Sequence, residues 1–365
     1  MTGTSRVYLH IGAPKTGTTY LQERLTRNAR SLTGHGVHFP SRSVLSTPAL
    51  FHFRAALDLL GEDWGGPKGH AVGSWEAMVR RVRRASGTVV ISHEILAPAS
   101  PEVIAKVKRD LEGAEIHVVY GARDLGRQIP AAWQESVKQG RPWPYRRFLK
   151  KVVRRGTPWF HRAFDLPEVL SAWGAGLPPE RVHVVTGPRS GAEPDLLWRR
   201  FCEALEIDPA WAPQDVDRFN ESLGVVETEV IRKLNRRLDY ATRRHSTFDQ
   251  LIRELLAQTA LAGGGSAPVR LPPRLLPWAE AEAEKWREWI LGSGVHVVGD
   301  IDELRPLPPT DDERWVNPDK VSPKRQLNVT LDALSAMTRE AARRPNPDQR
   351  FVAKVRTQTR KRREQ

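Results

Sequence analysis

One cysteine in 365 residues excludes a disulfide framework and a cysteine-built zinc site, because a lone thiol can neither pair within the chain nor complete a tetrahedral ligand set. That residue, Cys202, lies in Leu196–Leu205, where the apolar spacing makes it a filler of a helix's buried face. No stretch reaches the ~18 uninterrupted apolar residues that a membrane-spanning helix requires. The opening Met1–Arg6 runs straight into the short strand-like Val7–Ile11, which is too brief for a secretory signal core, so a cytoplasmic location is expected. No two histidines have the helical spacing of a zinc site, and no metal is expected. No internal repeat at solenoid period is present.

The chain is 39% hydrophobic and 27% charged, the balance of a globular protein. Its formal net charge is +14, unevenly spread: Ala341–Gln365 holds nine basic residues against two acidic ones, half of the whole excess. That tail has one aromatic, Phe351, among its arginines, so a solvated arm is favoured over a nucleic-acid or polyanion contact. In the body, excess positive charge suits an anionic ligand without naming one.

Short β-branched runs (Val7–Ile11, Val89–Ser92, Ile116–Tyr120, Val182–Val185 and Val295–Val298) alternate with helical patterns at Thr18–Arg30, Trp75–Ala85, Pro101–Leu111, Ile129–Gln139 and Pro194–Leu205. This predicts an α/β fold with a central, mainly parallel sheet flanked by helices, so ligand-binding residues should directly follow the strands. One α/β domain is expected over residues 1–304, with a Gly-rich break at 263–266. A Pro/Asp-rich connector with a short helix follows over 305–340, then the basic tail 341–365, giving a helical C-terminal appendage.

The sharpest motif is Val7-Tyr8-Leu9-His10-Ile11-Gly12-Ala13-Pro14-Lys15-Thr16-Gly17-Thr18-Thr19. A strand ends at glycine, a short loop carries Lys15, and hydroxyl residues open a helix. Converging backbone N–H groups and a helix start make an anion nest, to which Lys15 adds a mobile charge and Thr18 and Thr19 add donors. The nucleotide-triphosphatase loop needs its lysine after the second glycine, whereas Lys15 precedes Gly17. The pattern instead resembles the 5′-phosphosulfate loop of the sulfotransferase family, Pro-Lys-Ser/Thr-Gly-Thr-Thr, over Pro14–Thr19. A weaker likeness to the bacterial, actinobacterial-looking branch runs from Val7 to about Leu223.

The resemblance implies a P-loop-like three-layer fold and use of PAPS (3′-phosphoadenosine 5′-phosphosulfate) as sulfuryl donor without a metal. It implies that Pro14, Lys15, Thr16, Gly17, Thr18 and Thr19 hold the 5′-phosphosulfate, and that Arg123, just past a strand, grips the 3′-phosphate. The family places a serine eight residues after that arginine; Ala131 stands here, and Arg127, Gln128 or Ser136 are the candidates to replace it. Trp133 reads as core. Sulfuryl transfer needs a base, and His93-Glu94 follows the strand Thr88–Ile91 at the same sheet edge. His93 has the better intrinsic pKa, Glu94 is either the base itself or orients His93, and His52 is held in reserve. His10, His117, His183 and His296 read as core, and His35 and His38 as surface. Asn220-Glu221-Ser222 is either a border of the donor site or a turn with a helix cap, and Thr186 is a candidate to face the cleft.

The acceptor is open among small molecules, carbohydrates and lipids; Trp64, Trp143 and Trp159 are either its wall or core. Two rivals are a P-loop kinase, for which Asp300 after Val295–Val298 imitates a magnesium ligand, and a polyanion binder acting through the tail.

Overall fold

The computed structural model describes residues 5–43, 46–64, 66–156, 158–216, 222–308 and 314–344. Six strands form one all-parallel sheet: β1 (Arg6–Gly12), β2 (Val37–His38), β3 (Thr88–Ser92), β4 (Glu115–Ala122), β5 (Val182–Thr186) and β6 (His296–Val298), in spatial order β2-β3-β1-β4-β5-β6. The five strands expected from the β-branched runs are all present. The sequence missed β2, whose two residues pair with Thr88 and Val89; two residues cannot show an alternation.

Among the described residues the helices include α1 (Thr18–Arg27), α2 (Pro48–Leu60), α3 (Ser74–Arg84), α4 (Pro101–Asp110), α5 (Leu125–Lys138), α6 (Leu166–Gly174), α7 (Leu196–Ala204), α8 (Val225–Arg237), α9 (Leu276–Ser293) and α10 (Pro323–Arg343). Successive side chains of a strand point to opposite faces. Tyr8, Val90, Val119, Val185 and Val298 therefore share one face, where they pack with Tyr20, Leu21 and Leu25 of α1 and Trp198, Phe201 and Cys202 of α7. Cys202 fills this core, and burial pushes its thiol pKa up. On the other face Val7, Leu9, Ile11, Val118 and Tyr120 are buried, with α6 against β4 and α4 against α6. Covering both faces explains why the strands read as continuous apolar runs.

Contacts divide the chain into two compact units. The first holds the sheet: residues 1–136, 143–219 and 269–317. The second comprises 137–142, 220–268 and 318–365. Residues 220–268, expected inside a 1–304 body, thus cluster with the C-terminal segment. The reason is that α10, 21 residues long rather than short, packs on α8 and on a π-helix at Asp249–Ala260. In this second unit Glu229 and Arg232 form a buried ion pair at 2.6 Å. Asn220 and Glu221, and the tail beyond residue 344, lie outside the described residues. Among the described residues no helix is long and apolar enough to cross a membrane.

At the amino ends of the strands, one face of the sheet carries a row of rings. His117 Nε2 lies 2.8 Å from Glu115 Oε1, His117 Nδ1 lies 2.9 Å from His183 Nε2, and His183 Nδ1 lies 2.9 Å from His296 Nδ1. With Glu115 accepting from His117, His183 donates to His117 and His296 donates to His183, so three neutral rings satisfy one continuous run. Burial, then the charges of His117 and His296, pushes His183 down to about 3; burial brings His10 to about 4 and His52 to about 3. The unfolded chain takes up these protons below the ordinary value of 6.5, and the folded chain does not. Stability from these rings is therefore complete above pH 6.5 and is lost as pH falls toward 4, at up to about 1.4 kcal/mol per pH unit for each ring. Urea unfolding from pH 7.5 to 4.5 should show this loss, and His183→Gln should flatten the slope; an identical slope in the variant would refute the assignment.

Candidate functional site

The candidate site follows the carboxyl ends of β3, β1 and β4, three adjacent strands with β1 in the middle. Ala13 N–H donates to Gly121 O of β4 at 2.8 Å, and Thr16 Oγ1 donates to Ala13 O at 2.6 Å, closing a tight loop. Lys15 and Gly17 adopt left-handed φ values of 68° and 97°. For Gly17 this is easy, but for Lys15 it stores strain, as ligand-gripping loops commonly do. Gly17 caps α1 with no side-chain hydrogen bond, so the donors of the first turn lack a capping side chain. Beside them Thr18 Oγ1 is buried without a hydrogen-bond partner. An unsatisfied buried hydroxyl at an uncapped helix start is the polar environment an oxyanion would complete.

Two residues from β4 and the following helix support this loop. Arg123 Nη1 donates to Lys15 O at 3.3 Å, and Gln128 Nε2 donates to Pro14 O. Burial, then the neighbouring charge of Arg127, lowers the Arg123 guanidinium to about 10. A buried cation beside a second cation favours an incoming anion. Arg127 is engaged elsewhere: it pairs with Asp124 and donates to Pro188 O at 2.8 Å, joining the exits of β4 and β5. Gln128 contributes through the loop's main chain, and its buried Oε1 has no hydrogen-bond partner. Ser136 donates to Trp133 O at 2.7 Å within its own helix, and Trp133 is fully buried, as its core reading anticipated.

The sequence missed Glu135. Its largely buried carboxylate pairs with Lys15 Nζ, joining the loop to α5 twelve residues past Arg123. No local pattern marks a helical glutamate as the partner of a lysine 120 residues earlier. Gly121 was missed as well: a Cβ there would stand 2.6 Å from Thr16 Oγ1, so the loop can lie on β4 only over glycine.

On the other side of β1, β3 ends at Ser92 and releases His93 and Glu94 into a 3₁₀ turn. The His93 ring stacks on Phe53 of α2 with centroids 5.0 Å apart, and its Nδ1 accepts from Ile95 N–H at 3.3 Å. In the neutral ring this assigns the proton to Nε2. Glu94 Oε2 lies 3.9 Å from His93 Nδ1. Beneath them, Ser92 Oγ meets His10 Nδ1 at 2.8 Å, Gln22 Nε2 donates to Ser92 O at 2.6 Å, and Ser92 N–H donates to His52 Nδ1 at 3.1 Å. His52 Nε2 is spent on Pro40 O at 3.0 Å. With both nitrogens committed and the ring buried, His52 supports β3 and is unavailable as a reserve base.

Thr186 does not face the cleft. It is fully buried and donates to Glu303 Oε2 at 2.6 Å, where Arg200 also binds. Asp300 follows β6 at the sheet edge and accepts from Asp302 N–H as a cap. Trp143 lies under the cations of Lys151 and Arg147, 4.8 and 5.7 Å from its ring centre, and Trp159 packs edge-on against Phe164. Trp64 is exposed.

If Glu135 holds Lys15, Glu135→Gln should raise the rate at which an amine-reactive acylating reagent modifies Lys15, with the remaining lysines unchanged. Peptide mass spectrometry reads this directly, and an unaltered Lys15 rate would show that the pair does not restrain the lysine. A scan against protein-family models, a search of curated proteins and a search of solved structures each return no match to this chain.

Proposed function

We propose that this chain is a PAPS-dependent sulfotransferase, its α/β unit built on the P-loop-like three-layer plan. The observation that carries the reading is the loop Ala13–Gly17, with its strained Lys15, uncapped helix start and buried unpartnered Thr18 hydroxyl, lying beside Arg123 from the next strand. A donor with anionic groups at both the 3′ and the 5′ position of its ribose needs two cationic grips, and the segments that follow adjacent strands supply Lys15 and Arg123. The residues that resemble the family motif are the ones that build this arrangement.

Under this reading, the N–H groups of Thr16–Thr19 and the Thr18 hydroxyl bind the 5′-phosphosulfate. Lys15 leaves Glu135 for the donor's bridging oxygen and neutralises its charge as the sulfur–oxygen bond to phosphate breaks. Arg123 takes the 3′-phosphate, and Gln128 holds the loop in shape where Ala131 offers no hydroxyl. The acceptor oxygen or amine forms the new bond to sulfur and gives up its proton. Because His93 Nδ1 accepts from Ile95 N–H, the neutral ring is a donor at Nε2; the Glu94 carboxylate is then the member of the pair that accepts the proton. Positioning and electrostatics carry the chemistry, with no covalent intermediate and no metal.

Thermal unfolding with 3′-phosphoadenosine 5′-phosphate, set against ADP and against ATP with Mg²⁺ at one ionic strength, tests the donor. At ~100 times its dissociation constant the bisphosphate should stabilise the protein by about 2.7 kcal/mol, which raises the midpoint by a degree or more. Lys15→Ala and Gly121→Ala should each abolish the shift while the protein still unfolds cooperatively. An equal response to ATP with Mg²⁺ would favour the kinase, and no nucleotide response would refute the proposal. With donor and an acceptor in hand, Glu94→Gln should reduce transfer by about 10²-fold or more and His93→Gln by less.

A further inference from the structure

α3 buries Trp75, Met78, Val79 and Val82 on one side. Its opposite stripe, Ala77, Arg80, Arg81 and Arg84, has i, i+3, i+4, i+7 spacing and lines a cavity of about 230 Å³. Arg42, from the segment before α2, and Phe51 of α2 complete the lining. Four arginine side chains thus border one small volume, with Ala77 and the buried Phe51 behind it. Arg81 is held there by donating to Arg42 O at 2.9 Å. Among the described residues Arg80 pairs with Glu76 at 3.6 Å, and that carboxylate is mostly exposed, a pairing of little strength.

Helix-dipole compensation accounts for basic residues in the last turn of α3. It does not account for Arg42, which comes from another segment, or for a cavity with four cations on its walls. Like charges so close repel, and the arrangement becomes favourable when a multivalent anion enters. Planar guanidinium forks bind the oxygens of phosphate and sulfate in pairs, which lysines would not do. Phe51 and Phe53 stand on opposite sides of α2, because two residues turn a helix by about 200°. The cavity therefore faces away from the His93 side, where Phe53 stacks.

We infer that this cavity is a second oxyanion site, distinct from the Lys15 loop, which binds a phosphate or sulfate group by its oxygens through the guanidinium groups of Arg42, Arg80, Arg81 and Arg84. Its operation does not depend on sulfuryl transfer at the first site.

The test uses the full chain carrying Lys15→Ala, which silences the loop, with phenyl phosphate, phenyl sulfate and inorganic phosphate as probes at constant ionic strength in calorimetric titration. At least one of the three should bind saturably, and the tightest of them names the oxyanion. Arg80→Gln with Arg84→Gln should weaken that binding at least tenfold, as should Arg42→Gln on its separate segment. Arg83→Gln, on the same helix but outside the cavity, should change it less than twofold. All four arginines substituted are exposed, so the variants should keep their unfolding midpoint. Loss of all saturable binding with Lys15→Ala alone, or equal weakening by Arg83→Gln, would overturn the inference.

Discussion

Everything at the candidate site depends on β1 being held between β3 and β4, with its backbone paired on both sides. A central parallel strand has no freedom to shift, so the loop that leaves it begins at a fixed point. The Ala13 to Gly121 hydrogen bond carries that rigidity one residue into the loop, and Gln128, Arg123 and Glu135 carry it through Pro14 and Lys15. The loop is thus shaped by a neighbouring strand and helix more than by its own sequence. The buried network around Ser92 does the same for His93 and Glu94: His10, Gln22 and His52 fix the end of β3 from three different elements.

The two sides of β1 are chemically unlike. Toward β4 stand the cations Lys15, which is paired with Glu135, and Arg123, which burial drives below its ordinary pKa. Toward β3 stand a donor ring and a carboxylate. An anionic group bound on one side and a hydroxyl activated on the other would meet over the centre of the sheet, where the strand order changes direction from the β1–β3 side to the β4–β6 side. On the function proposed above, the attraction of an anion and the removal of a proton would fall to groups on opposite sides of β1, two tasks that would interfere if assigned to neighbouring groups.

Much of this was legible in the sequence because it was local. A β-branched run followed by Gly12 and a lysine marked β1 and its loop, and Arg123 stood just past another such run. What escaped was long-range or too short to show a period. Glu135 and Gly121 act through space on a loop more than a hundred residues away, β2 is two residues long, and the basic helical stretch beyond Glu227 gave no sign that residues 249–260 would form a π-helix. His52 and Thr186 were read from position alone, but their hydrogen bonds commit them to support. The arginine stripe of α3 was visible only as a helical pattern, since Arg42 and Phe51 are what turn it into a cavity.

The outermost strands, β2 and β6, are the shortest of the six, with two and three residues. The longest strands, β1 and β4, lie in the interior of the sheet, where both edges of each are occupied. A sheet that tapers in this way offers an approaching chain only a few open backbone groups at either border, too few to template an added strand. The long, β-branched and highly apolar segments, which would be the chain's greatest aggregation hazard if left at a border, are shielded by the strand order itself rather than by charges on their surface.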